Sequence, residues 1–169
     1  LERKITYDRY DSTGNILQYT PENGTPVSII WGYNKTAVIA KIENVSYDSI
    51  ESKVASLQAL SDTGSETNLI LALDNFRNSQ HNGMVTTYTY KPLIGVSTIT
   101  DPKGVTTSYE YDSSNRLMFV KDQFLNILQR YCYNYKGQQT DCSDQNFTSV
   151  VQYSSVARSG SFSKNNCSS

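Results

Sequence analysis

The chain has one histidine, one tryptophan, two methionines and three cysteines in 169 residues. A lone histidine, His81, leaves no His pair for a metal and no His-centred triad for nucleophilic catalysis. It lies beside Asn82 and Gly83 and reads as a solvated loop residue. The cysteines form no CxxC, so no zinc site is expected. Apolar runs such as Val27 to Trp31 and Leu69 to Leu73 are far too short to span a bilayer as a helix, so no transmembrane segment is expected. Neither charge sign dominates: 15 basic and 16 acidic residues give a formal net charge of −1. No basic stripe is present, which argues against nucleic acid as a partner. No GxSxG, HExxH, P-loop or GxGxxG occurs, so no enzyme and no cofactor is expected. Acidic pairs such as Asp141 and Asp144 are ordinarily solvated turn residues rather than calcium ligands. Five Asn-x-Ser/Thr sequons, at Asn23, Asn34, Asn44, Asn146 and Asn166, are common chance matches in a chain rich in Ser, Thr and Asn.

Tyrosine, by contrast, is abundant, at 13 residues beside five Phe and one Trp. Its ring buries a large area while its hydroxyl stays wet, which suits a half-exposed sheet face. Hydrophobic residues make up only 37%, so the core is expected to be a thin sheet interior. The tyrosines recur in register. Tyr88 and Tyr90 return as Tyr109 and Tyr111, 21 residues on, and as Tyr131 and Tyr133 after a further 22. Asp101 likewise returns as Asp122. The segment Asp122 to Gln129 repeats the Asn-Ile-Leu-Gln of Asp11 to Gln18 at the same offsets. An internal repeat of this kind points to a structural building block.

The pattern along the chain divides it into four parts: β hairpins over 1–46, an inserted helical hairpin over 47–80, further repeats over 81–153, and a linker or the start of another module over 154–169. Ile5 to Tyr10 and Ile16 to Tyr19 flank a turn at Ser12 to Asn15, where Gly14 supplies the positive φ. Val27 to Tyr33 and Ala37 to Ile42 form a second hairpin. Ile50, Val54 and Leu57 then fall on one helical face, with Asp48 and Glu51 as a capping-box-like start. Thr63 with Glu66 offers a second start, followed by Leu69, Leu73 and Phe76. A partner-binding helix pair is one reading; a stripe packed on the sheet is the plainer one. Period two resumes after Met84, and it is cleanest from Val105 to Tyr111 and from Ile127 to Tyr135.

Turn positions are Asp11, Gly14, Asp101, Pro102, Gly104, Asp112 and Asn115. Packing positions are Tyr10, Tyr88, Tyr90, Tyr109, Tyr111, Tyr131 and Tyr133. Exposed tyrosines beside Asn and Asp could instead stack on sugar rings, which leaves surface glycans as a second class of partner. Cys132 and Cys142 are equidistant from Gly137. If Gly137 is a hairpin tip they face one another within disulfide range; otherwise they are free thiols beside a loop. The chain opens at Leu1 without a signal-peptide pattern and reads as a piece of something longer.

Three motifs, Tyr10-Asp11-Ser12-Thr13-Gly14, Asp101-Pro102-Lys103-Gly104 and Tyr111-Asp112-Ser113-Ser114-Asn115-Arg116-Leu117, resemble the YD or RHS repeat family. The surrounding segments, Trp31-Gly32-Tyr33-Asn34, Ile39 to Asn44 and Tyr88 to Val96, are similar to those of large secreted or surface proteins of Bacteroidetes-type bacteria. The resemblance implies a mainly β, antiparallel repeat sheet, as a spiral strip or part of a shell, carrying an inserted two-helix hairpin. It implies a secreted or cell-surface location, neighbouring repeats of the same longer chain as partners, and outer-membrane (type IX) secretion machinery as the export route. It also implies two competing roles, a scaffold, spacer or adhesin and a shell around a polymorphic toxin. Toxin shells of this family carry a self-cleaving site with two Asp-Pro-x-Gly units. Here Asp122 is followed by Gln123-Phe124-Leu125, which departs from that pattern.

Overall fold

A computed structural model describes residues 4–22 and 24–133. Among the described residues nine strands form one antiparallel sheet in strict sequence order. They are β1 (Ile5–Tyr10), β2 (Ile16–Pro21), β3 (Val27–Gly32), β4 (Ala37–Glu43), β5 (Met84–Lys91), β6 (Gly95–Thr100), β7 (Thr106–Tyr111), β8 (Leu117–Lys121) and β9 (Ile127–Arg130). Two helices, α1 (Tyr47–Thr63) and α2 (Glu66–Asn78), sit between β4 and β5. The insertion does not divide the sheet, because Glu43 at the end of β4 pairs directly with Met84 at the start of β5.

The helices pack on the sheet through the stripes that the periodicity marks. Tyr47, Ile50, Val54, Leu57 and Ser61 are buried in α1, and Leu69, Leu73 and Phe76 in α2. Their spacing of three and four residues keeps them on one face. Beneath them lie Ile30, Ile39, Ala40 and Ile42, all at 0% exposure, and Val85. Farther along β5 and β6 the buried face turns polar. Thr87, Thr89 and Thr100 are buried. Thr89 shares a 2.7 Å hydrogen bond with Thr98, and Thr100 one of 2.9 Å with Thr106. The Thr89 hydroxyl also donates to Glu66 of α2. Cross-strand hydroxyl pairs let a sheet face stay buried without leaving donors unmet.

Both helix starts differ from the sequence expectation. Asp48 and Glu51 form no capping box. Ser46 takes the N-cap position of α1 and its hydroxyl bonds that of Ser49, while Asp48 and Glu51 both pair with Arg9 of β1. Thr63 does not open α2. It stays in the last turn of α1 and donates to the Ala59 carbonyl, and Ser65 caps α2 by accepting from the Asn68 N–H at 3.2 Å. A serine in extended conformation directly before the helix meets the free N–H groups better than a residue still inside the preceding helix. Tyr33, expected to end β3, instead lies in the turn after it. No helix among the described residues is long and apolar enough to cross a membrane.

Candidate functional site

Four turns of the sheet are built by one device. In each, an aspartate Oδ1 accepts from the N–H groups two and four residues later. Asp11 holds Thr13 and Asn15, Asp101 holds Lys103 and Val105, Asp112 holds Ser114 and Arg116, and Asp122 holds Phe124 and Asn126, all at 2.8–3.0 Å. The backbone closes the same ring each time, as in Asp101 N–H to Val105 O and Gly104 N–H to Asp101 O, both 3.0 Å. The residue three after the aspartate is left-handed: Gly14, Gly104, Asn115 and Leu125. Asp122 therefore builds the same turn as Asp101 although Pro and Gly are missing after it. The carboxylate organises the loop, and Leu125 takes a φ of 66° that glycine would adopt without strain. Leu125 is also 70% exposed. Leu125→Gly is expected to raise stability by about 0.5–1 kcal/mol, since a left-handed L-residue costs roughly 1–2 kcal/mol and glycine's extra unfolded entropy offsets part of the gain. Urea titration at fixed m-value reads this directly, and a lower midpoint would contradict it.

Such contacts lower the pKa values of Asp11, Asp112 and Asp122. Asp11 falls from an ordinary 3.8 to about 2, chiefly through the Thr13 hydroxyl, then the Asn15 and Thr13 N–H groups and Lys35. Asp112 is lowered first by the Arg116 guanidinium, and Asp122 first by the Asn126 side-chain amide. A carboxyl with a depressed folded pKa stabilises the fold above its unfolded pKa and loses that contribution as pH falls through the folded value. The melting temperature is therefore expected to drop between pH 4 and pH 2, with a smaller drop in Asp11→Asn. A flat profile over that interval would contradict the assignment.

A second device ties neighbouring hairpins together. Trp31 Nε1 donates to the Ile16 carbonyl at 2.9 Å, Tyr90 Oη to Val38 at 3.0 Å, Tyr111 Oη to Val96 at 2.9 Å and Tyr133 Oη to Leu117 at 2.9 Å. Every acceptor belongs to a residue that pairs with the aromatic of the preceding hairpin: Tyr10 with Ile16, Trp31 with Val38, Tyr90 with Val96 and Tyr111 with Leu117. A register shift immediately precedes the aromatic in all four pairings. The extra residue lies on the partner strand each time, Leu17, Ile39, Ser97 and Met118, and bends that strand beside the acceptor carbonyl. Gly95 fits this arrangement, because a Cβ there would overlap the Tyr111 hydroxyl. Lys91 and Arg116 lie over the Tyr111 and Tyr133 rings, at 5.9 and 4.5 Å.

The tyrosines expected to pack the sheet lie outside its fully buried core. Tyr10 and Tyr131 are exposed, and Tyr88, Tyr90, Tyr109, Tyr111 and Tyr133 are half-buried. Trp31 belongs to the ladder although the tyrosine pattern does not reveal it. It stands 21 residues after Tyr10, but 59 before Tyr90, one period and a further 38 residues. Cys132 is disulfide-bonded, and Cys142, named above as its candidate partner, lies outside the described residues.

The hairpin turns on either side of the insertion enclose a groove of about 460 Å³, lined among others by Tyr33, Asn34, Asp62, Tyr90, Lys91 and Leu93. Its floor is strained. Tyr33, Asn34 and Lys35 are three consecutive left-handed residues, with φ of 51°, 55° and 63°. The end of α1 holds them: Ser61 Oγ accepts from the Tyr33 N–H at 3.0 Å and Asp62 from the Asn34 N–H at 2.6 Å. The Tyr33 hydroxyl accepts from the Tyr90 N–H at 2.9 Å and donates to the Tyr90 carbonyl, and the two rings meet edge-to-face at 5.4 Å. Burial pushes both phenol pKa values up, so both hydroxyls stay protonated as donors. An aromatic wall with a carboxylate, an amide and an ammonium at its rim suits a polyhydroxylated ligand.

Among the described residues no group of three or more His, Cys, Asp or Glu converges to hold a metal. No curated protein matches the chain. Residues 95–121, which span β6 to β8 with the Asp101 and Asp112 turns and the Tyr111 staple, match the family model of the RHS Repeat, a structural repeat.

Proposed function

We propose that this chain is a non-catalytic segment of a long repeat sheet in a secreted or cell-surface bacterial protein, where it serves as scaffold, spacer or adhesin. One observation carries the reading. A single Asp turn, 10 or 11 residues apart from Asp101 to Asp122, and a single aromatic staple, 21 or 22 residues apart from Tyr90 to Tyr133, recur through the sheet. Such units cannot bury their faces alone, and stacking neighbours completes them. Export through an outer-membrane type IX route fits the same reading, with the secretion machinery as a transient partner. A wall of a toxin-enclosing shell fits less well, because Gln123-Phe124-Leu125 replaces Pro-x-Gly after Asp122 and the Asp101 and Asp122 carboxylates are each engaged by their own turns. Protease treatment of intact cells that make the parent protein tests the location. Loss of this segment from whole cells supports surface display, and cleavage only after lysis overturns it.

A glycan-binding role has its own supporting observation in the Tyr33–Tyr90 groove. Binding on a glycan array that is lost in Asp62→Ala supports it; a blank array overturns it.

A further inference from the structure

Four aromatic donors reach the carbonyl of the hairpin before them, and a fifth residue occupies the same place with nothing to reach. Tyr10 pairs with Ile16 as Trp31 pairs with Val38, Tyr90 with Val96 and Tyr111 with Leu117, and it follows the same register shift. Its side chain is 51% exposed. Its ring leans on Tyr7 at 6.3 Å, and among the described residues its hydroxyl has no acceptor. Among the described residues β1 is also an edge strand, paired within the sheet only with β2. Ile5 and Tyr7 beside it are exposed at 46% and 52%.

We propose that the β1 edge is a docking slot for one further hairpin of this repeat type, and that the Tyr10 hydroxyl sets its register by donating to the backbone carbonyl of the second strand's aliphatic residue. The occupant is fixed by continuity. Every such staple among the described residues joins a donor of this class to an Ile, Val or Leu carbonyl one hairpin upstream. The proposal rests on the repeat-sheet reading and adds the residue that reads the register. A strand edge gives main-chain hydrogen bonds to any extended segment, but a side-chain donor at one fixed position accepts only one alignment.

The sequence supplies a matched probe. Thr106 stands five residues before Tyr111, and Ile5 five before Tyr10. Residues 84–105 placed directly before Ile5 therefore present the Val96 carbonyl to Tyr10 as they do to Tyr111. In this grafted full chain, the outward N–H groups of β1 are expected to gain about tenfold or more in exchange protection. Tyr10→Phe is expected to lower the melting temperature of the graft by roughly 2–4 °C and that of the ungrafted chain by less than about 1 °C. A protected edge with equal Tyr10→Phe effects in both chains overturns the role of Tyr10 and leaves the repeat-sheet reading standing. An unprotected edge in a folded graft overturns both. Should the graft lose its near-ultraviolet circular dichroism, a synthetic 84–105 peptide added in trans gives the same decision. A shift of the labelled Tyr10 ring resonance supports the slot, and no shift at millimolar peptide overturns it.

Discussion

Removal of residues 45–82 is expected to leave a chain that still spells a hairpin but no longer folds to a stable monomer. The cut joins Asn44 to Gly83, an Asn-Gly pair between strands that already end on the Glu43–Met84 pairing. Asn-Gly is the strongest two-residue hairpin signal. The cut also restores the 21-residue spacing between Trp31 and Tyr90. Local structure thus favours the shortened chain. Packing does not, because Ile30, Ile39, Ile42 and Val85, at 0–1% exposure, lose the helices that cover them. At about 1.5–3 kcal/mol for each exposed side chain, the loss is roughly 6–12 kcal/mol, comparable to the whole stability of a domain. Size-exclusion chromatography and dye binding should report association and exposed apolar surface. Cooperative melting at an unchanged temperature would show instead that the helices are an appendage and that something else covers this face.

Leu73→Ala is expected to destabilise the protein by about 2–5 kcal/mol, as a buried leucine truncation that leaves a cavity does. Leu73 is 1% exposed at the centre of the α2 stripe. Leu71, two residues earlier on the same helix, is 57% exposed. Leu71→Ala should therefore stay within about 0.5 kcal/mol of the parent. The comparison separates burial from helix propensity, since both substitutions replace leucine by alanine in one helix. Equal effects in urea titrations would mean that α2 presents a different face to the sheet.

Much of the fold was legible because short-range rules govern it. Strand alternation, the Ile50–Val54–Leu57 and Leu69–Leu73–Phe76 stripes and the Asp turns depend on residues within four positions of one another. The Asp122 turn was harder to read. Pro and Gly are the usual marks of such a loop, yet the carboxylate and two N–H groups suffice without them. Helix starts were misplaced for a related reason. Ser46, Asp48, Thr63 and Ser65 all carry oxygens able to cap, and only the backbone path decides which one meets a free N–H group.

The groove between the 33–36 and 91–95 turns was not legible. Its walls are more than fifty residues apart in sequence, and its left-handed floor follows from Ser61 and Asp62 of a different element. The ladder was half legible: tyrosine spacing announced Tyr90, Tyr111 and Tyr133, while Trp31 was hidden by a change of side chain and by the insertion.

By itself the sequence determined a mainly β repeat interrupted by two helices, because hydrophobic period and turn chemistry are local properties of the chain. Only the tertiary structure decided that the two β segments are one sheet and that the helices cover its aliphatic face. Only it showed the aromatic hydroxyls as staples between hairpins rather than as core. Those outcomes depend on which distant carbonyl, edge or face lies within hydrogen-bond reach, and the order of residues alone does not state that.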